Sequence, residues 1–437
     1  MKTAEILARS VGIVTSAVSV WMLTAGGVWA ADLVITNARV FTGTDAPEIK
    51  RANIAVSGER IEALSADAIP TTGAVVIDAH GMTVMPGLID AHMHTFFDLP
   101  PLGDTSHARP KFPQSEAEAR AYIHGKMSEK FAALLDGGFT SVLSPIDLWP
   151  LIIEVRQRLA NGELKGPRLF VAGGAFTAPQ PQRFCGGNAW CNSSLSVQAS
   201  SPEQARDWVR RYADSGVDLI VAVYDPTVKP TPLTPEVLRA VIDEAHHRNL
   251  RVFLESPINA ADVPDLVDWG IDGFLHSPRK VMDRDGTLFA SAGRKHLPLE
   301  INLGVDEETQ RLAPQVSPED IEKYKITRFN TLALLKAGAT PVWGSDLGDK
   351  GLTPAEMISI EARSLKGLGL TPKQILQSVT RNAAHSVLGR EDLGTLEPGK
   401  TADVIMVDGD PLKNPEALAK VVLVIKGGKV VADHRNR

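Results

Sequence analysis

The sequence predicts an α/β architecture: a (β/α)8 barrel of the TIM type with a composite β-sandwich side domain formed by both chain ends. Three observations carry that expectation. Short strand-like segments broken by Gly, Asn and Asp turns fill residues 31–86 and recur over residues 389–437. Between them, over residues 87–388, apolar strand-like runs alternate with amphipathic helical stretches, which is the pattern of a parallel sheet. Eight such runs can be counted, the number that closes a barrel.

The chain starts differently from the rest. Lys2 and Arg9 precede an uncharged stretch from Ser10 to Ala31, which closes on Val28-Trp29-Ala30 just before Ala31-Asp32. Val28 and Ala30, the small residues of that triplet, stand at the positions a signal peptidase reads, so residues 1–30 are expected to form a signal peptide and the mature protein to be periplasmic or secreted. An uncleaved membrane anchor is the alternative, because the run approaches spanning length. The glycines and serines that dilute it favour cleavage. No later segment is apolar enough to span a bilayer, so no membrane partner is expected after cleavage.

The first β-rich end reads as DLVITNARVF, ANIAVSGERIEAL and TGAVVIDAHGMTVMPG, and the second as TADVIMVDGDP and KVVLVIKGGKVV. The eight inner runs are LIDAHMH, FTSVLSP, PRLFVAGGAF, VDLIVAVYDP, LRVFLES, IDGFLHS, LPLEINLGV and ATPVWGSD. Four helix starts share one chemical signature: SPEQ at 201–204, SPED at 317–320, TPAE at 353–356 and TPKQ at 371–374. Each places Ser or Thr at the N-cap, Pro at the first helical position and an acid or amide at the third.

Composition excludes some classes. A chain of 437 residues with 43% hydrophobic and 22% charged residues is ordinary for a soluble globular protein. Its net charge of −6 and lack of any Lys/Arg cluster speak against a nucleic-acid partner. The two cysteines, Cys185 and Cys191, lie in the Gly/Asn/Ser-rich stretch RFCGGNAWCNSS. Export permits a disulfide closing this small loop, while two separate thiols remain the alternative. A Cys-only zinc site lacks further partners at ligand spacing. Association with further copies of the chain is left open.

Reacting residues in such barrels sit at the C-terminal ends of strands. In LIDAHMH, a continuous strand would point Asp90, His92 and His94 the same way. RVFLESP ends in Glu255, GFLHSP in His276 and VWGSDLG in Asp346. Glu255 and His276 share the frame Leu-X-Ser-Pro, whose proline helps to end the strand. Imidazole and carboxylate are ligands that zinc prefers. Each of these residues alone has a structural explanation as a strand cap or turn residue. Their shared position, one strand end after another, makes them a candidate metal site. Tyr224 and Arg279, which follow the fourth and sixth strands, are candidate substrate contacts by position alone.

PGLIDAHMH, the later SDLG, GTLEPGKTAD at 394–403 and VIKGGKVV at 424–431 resemble the amidohydrolase superfamily, in its imidazolonepropionase- and prolidase-like branch. The resemblance covers about residues 32–437. It implies a barrel beside a composite β-sandwich and one or two divalent metals that activate a water. That water attacks an amide, lactone, ester or ring C–N bond. Carried over by position, His92 and His94 match the metal ligands of strand one, His276 the histidine of strand six, and Asp346 the proton-accepting aspartate of strand eight. Two positions depart from the pattern. Val221 stands where two-metal members carry a bridging carboxylated lysine, and Glu255 stands where strand five carries a histidine.

Two dications a few ångströms apart repel strongly without an anionic bridge. That bridge is missing here unless Glu255 swings in to provide it; Asp225, four residues past Val221 and beyond the strand end, is a poor substitute. One ion, zinc by default, is therefore expected, held by His92, His94 and Asp346 with Glu255 or His276 completing the set. Asp346 and His276 are the expected catalytic groups, and the expected substrate is a small N-acyl amino acid, dipeptide or lactone. A single-metal decarboxylase or hydratase on the same fold and a degenerate, non-catalytic binding protein are the alternatives.

Overall fold

The computed structural model describes residues 31–98, 111–178, 185, 187–226, 233–313, 316–349 and 351–435. The signal-peptide expectation falls on residues outside these. Among the described residues no helix is long and apolar enough to cross a membrane.

Eight parallel strands form the inner layer: β1 (Leu88–Asp90), β2 (Phe139–Ser144), β3 (Arg168–Val171), β4 (Ile220–Val223), β5 (Val252–Glu255), β6 (Gly273–Phe274), β7 (Pro298–Ile301) and β8 (Thr340–Trp343). They coincide with the eight runs read from the sequence. β2, β4, β5 and β7 are buried along their whole length, as expected of strands covered on both faces. Ladders join β1 to β2 to β3 and, separately, β4 through β8. Hydrogen bonds outside these ladders cross the two gaps, among them Asp218 N to Val171 O (2.7 Å) between β3 and β4, and Ala91 N to Trp343 O (3.2 Å) between β8 and β1. This strand order is of the TIM type.

The first strand departs from expectation. LIDAHMH is not continuous: β1 stops at Asp90, and the chain pairs again only over Met93–Asp98, alongside Leu347–Asp349. The cause is Asp90 itself. Its Oδ1 accepts the N–H of His92 (3.0 Å), a side-chain turn of the kind that draws Asp out of a ladder.

The four capping signatures all form helix starts. Ser201, Ser317, Thr353 and Thr371 each accept the backbone N–H three residues on, and Thr353 and Thr371 complete reciprocal capping boxes with Glu356 and Gln374. Each such cap contributes about 1 kcal/mol. The helix Pro202–Ser215 ends at Gly216, whose φ of 78° is the left-handed conformation that glycine adopts without steric cost.

The two chain ends are knitted together. Thr83–Pro86 pairs antiparallel with Val404–Val407, with Met85 opposite Ile405 and Val84 opposite Met406. Hydrogen bonding makes the side domain one eight-stranded sheet, where two stacked sheets were expected. One face carries Ile35, Ile54, Val84, Val404, Met406 and Ile425, all buried in a core of their own, so the sheet curls over that face. Alternate residues do the opposite work: Met85, Ile405, Val407 and Val424 join the barrel core. The period-2 alternation of strand side chains thus glues the side domain to the barrel. Cys185 and Cys191 are joined by a disulfide.

Candidate metal centre

Asp90 places the first histidine. Its Oδ1 accepts from both His92 N and Ser345 N (3.0 Å each), tying the end of β1 to the end of β8. The His92 carbonyl returns the link, accepting Ser345 N (3.1 Å) and Asp346 N (2.7 Å). Asp346 is held at φ 48°, a left-handed conformation that costs a non-glycine residue about 1 kcal/mol or more. That conformation turns its carboxylate back toward the histidines.

His94 is placed from β2. The loop after Ser144 offers the Ile146 carbonyl to His94 Nδ1 (3.1 Å). The buried Asp147 accepts Thr95 N (2.7 Å), Thr95 Oγ1 (2.6 Å), Phe96 N (3.2 Å) and Ser144 Oγ (2.6 Å), so the segment cannot slide.

Five predicted residues converge. His92 Nε2 lies 3.4 Å from Glu255 Oε2 and 3.4 Å from Asp346 Oδ1. His94 Nε2 is 3.2 Å from Asp346 Oδ1. His276 Nε2 is 2.5 Å from Glu255 Oε1 and 3.6 Å from Asp346 Oδ2. All are buried except Asp346, whose side chain is 33% exposed and forms the open side of the cluster.

Val221 and Val223 present an apolar wall here. The register sets Val223 beside Glu255, so these valines share the face that carries Glu255.

The two substrate candidates separate. Tyr224 is not brought to the cluster: one residue past Val223, it projects to the opposite side of the strand. There it meets Trp269 edge-on at 5.7 Å, among the carboxylates of Glu236, Asp262 and Asp265 in the helix layer. Arg279 does reach the cluster, but behind His276, with Nη2 3.1 Å from His276 Nδ1.

Two residues at the site were missed from the sequence. Glu300 on β7 is fully buried, with Oε2 3.3 Å from His92 Nδ1. Asn302, two residues on, sets its Nδ2 3.0 Å from His276 Nδ1. The signal was present in LPLEINLG, where a carboxylate interrupts an apolar strand. Gly344 makes room for Glu300, since a Cβ there would collide with the Glu300 carboxylate.

The electrostatics call for positive charge. Burial pushes the carboxyls of Asp90 and Glu300 up to about 6 and about 7. Burial also opposes charge on His92, but Glu255, Asp346 and Glu300 outweigh it and push its pKa up to about 10. Desolvation works against ionised Glu255 too, yet His276 and His92 hold it down to about 2. Asp90 Oδ2, His92 Nε2, Glu255 Oε2 and Glu300 Oε1 are buried without a hydrogen-bond partner. Such atoms are costly unless something else satisfies them.

A divalent cation fits that requirement. Ligand atoms 2.0–2.2 Å from a tetrahedral zinc stand roughly 3.4 Å from one another, which is the spacing found around His92 Nε2. Two overlapping triads have suitable atoms: His92, Glu255 and His276, and His92, His94 and Asp346.

Known proteins resemble this chain over most of its length. A family model described as the amidohydrolase family matches residues 83–431. Imidazolonepropionase from Anaeromyxobacter dehalogenans (strain 2CP-1 / ATCC BAA-258) is 26% identical over 443 residues, covering 92% of this chain and 96% of that protein. A local match to imidazolonepropionase from Shouchella clausii (strain KSM-K16) is 32% identical over 108 residues, spanning only 24% of that relative. A solved prolidase complexed with N-methylphosphonate-L-proline shares the fold, with a TM-score of 0.72 and 22% identity over 92% of this chain and 99% of that one.

Proposed function

The chain belongs to the amidohydrolase family, and from that premise we propose that it is an exported, metal-dependent hydrolase of the imidazolonepropionase- and prolidase-like branch. Its substrate is a small molecule with an amide, lactone or ester bond, of the N-acyl amino acid or dipeptide kind. The observation that carries the reading is the triad of His92, His94 and Asp346, whose ligand atoms lie within 4.8 Å of one another.

His92, His94 and Asp346 would hold one divalent ion, zinc by default, with Glu255 or His276 completing the set. Such an ion supplies Lewis acidity and lowers the pKa of a water toward neutrality. The chain supplies the rest. Asp346, on the open side, takes the proton as the water oxygen bonds to the substrate carbonyl carbon. It then delivers that proton to the leaving nitrogen or oxygen as the scissile bond breaks. His276 stabilises the charge that builds on the carbonyl oxygen. The apolar wall of Val221 and Val223 keeps bulk water off one side. The leader of residues 1–30 supports action outside the cytoplasm.

The test is a panel of N-acyl amino acids, dipeptides and lactones, run in ¹⁸O-labelled water with metal content measured in parallel. Hydrolysis of a panel member should place the label in its carboxylate product. The His92→Ala/His94→Ala double variant should lose both bound metal and turnover. Full turnover by metal-free protein would overturn the proposal.

A further inference from the structure

β7 offers no ligand of its own, yet it touches two of the three histidines, and it touches them with opposite polarity. We infer that β7, together with Arg279, fixes His92 and His276 in opposite tautomers, so that one metal ion is bound without His276 as a ligand. This inference rests on the metal-dependent reading above and narrows it.

His92 Nδ1 faces the Leu275 carbonyl, which can only accept, at 3.1 Å, with Glu300 Oε2 beside it at 3.3 Å. It must therefore carry the proton, and in the neutral ring this leaves a lone pair on Nε2, aimed into the cluster. His94 repeats the arrangement, with the Ile146 carbonyl 3.1 Å from its Nδ1. Both rings are set to ligate through Nε2.

His276 is set the other way. Its Nδ1 meets Arg279 Nη2 at 3.1 Å and Asn302 Nδ2 at 3.0 Å. A guanidinium has donors and no acceptor, so the polarity of the Arg279 contact is not open to reassignment. Nδ1 must be the lone pair, and the neutral ring then carries its proton on Nε2. That N–H points at Glu255 Oε1, 2.5 Å away. An ionised carboxylate is the acceptor that an N–H at this position needs. A nitrogen that holds a proton cannot bind a metal. The triad of His92, Glu255 and His276 is thus no metal site, and the triad of His92, His94 and Asp346 is the one that remains. Glu255 lends its other oxygen, Oε2, to the His92 side. His276 becomes a fixed N–H donor at the mouth, and Asn302 and Arg279 are positioning residues acting through it.

Cobalt(II) loading of the full chain tests this without relying on turnover. Wild type should bind one cobalt per chain. His276→Asn should bind the same single equivalent, with an unchanged visible spectrum and an affinity within about 3-fold, a smaller loss than the 10-fold or more that follows damage to a ligand's support. Asn302→Asp combined with Arg279→Glu puts acceptors behind Nδ1 and moves the proton there. This variant should gain a second equivalent or bind cobalt about 10-fold more tightly, with an altered spectrum. Arg279→Lys, which keeps a donor, should match wild type. Loss of cobalt from folded His276→Asn, or two equivalents in wild type, would overturn the inference and leave the hydrolase reading standing. If His276→Asn does not fold, an unchanged spectrum in the acceptor variant overturns it instead. Turnover by a chain that binds no cation would be a failure of the hydrolase reading itself.

Discussion

The floor and the mouth of the barrel use the same residue types to opposite ends. At the floor, carboxylates are filled. Asp218 Oδ2 takes Val171 N (2.8 Å) and Arg156 Nη1 (3.0 Å) beside the start of β4. Asp272 Oδ2 takes Val252 N (2.7 Å) and His246 Nε2 (2.8 Å) beside the start of β6. Asp403 accepts Arg168 Nη1 (2.7 Å) on one oxygen and Gly427 N (2.8 Å) on the other. At the mouth, Asp90, Glu255 and Glu300 each keep a buried oxygen without a partner. The floor's charges were chosen for each other. Those of the mouth are left without such partners, and that asymmetry makes the mouth the candidate functional end.

Four variants break or sharpen this contrast. The largest effect should come from Asp346→Asn, which keeps the shape and removes the proton acceptor. We expect kcat to fall by about 10³-fold, within the range for losing a general base, while the melting temperature of metal-free protein does not fall. A kcat within 10-fold of wild type would return Asp346 to a purely structural part.

Next comes Glu300→Gln, read in metal-free protein against pH. The folded-state pKa of Glu300 is raised from 4.5 to about 7 by burial. Its protonated form therefore contributes stability that is fully present below pH 4.5 and lost as pH rises through 7. The amide has no such loss, so above pH 7 the variant should be the more stable by about 3 kcal/mol. Urea melts at pH 4 and pH 8 measure the difference, and an equal gap at both pH values would contradict the raised pKa.

Asp403→Ala tests the floor. Stranding the Arg168 guanidinium and the Gly427 N–H should cost about 2 kcal/mol, with kcat and bound metal unchanged. Loss of metal in this variant would mean that the two ends are coupled. The smallest effect belongs to Tyr224→Phe, which alters the helix layer only. Stability should stay within about 0.5 kcal/mol and KM should not move. A tenfold rise in KM would bring Tyr224 back to the substrate.

Much of the barrel and most of the candidate metal centre are legible in the amino-acid sequence. Strand ends and caps are local: Ser-Pro-Glu-Gln announces a helix start whatever surrounds it, and the eight apolar runs are all strands. His92, His94, Glu255, His276 and Asp346 stand out because each ends an apolar run. What stays hidden depends on direction. Tyr224 looks like a mouth residue by its place in the chain, but the register of Val223 beside Glu255 turns it outward. Glu300 and Asn302 act by touching histidines on strands far away in sequence, and no local pattern states which nitrogen they address. The break at Asp90 is hidden likewise, because a strand and an Asp turn share the same residues until Ser345 arrives to claim the carboxylate.

The seam between Thr83–Pro86 and Val404–Val407 has a consequence in time. About 320 residues separate the two partners, so this ladder is among the least local contacts in the molecule. During synthesis the first β-rich segment emerges early, and its edge must wait for the last segment to arrive. Until then Thr83–Pro86 presents open backbone groups and a row of apolar side chains, Val84 and Met85 among them. A chain truncated before Val404 should therefore fail by edge-to-edge association and not by loss of the barrel, with the fault lying in assembly order.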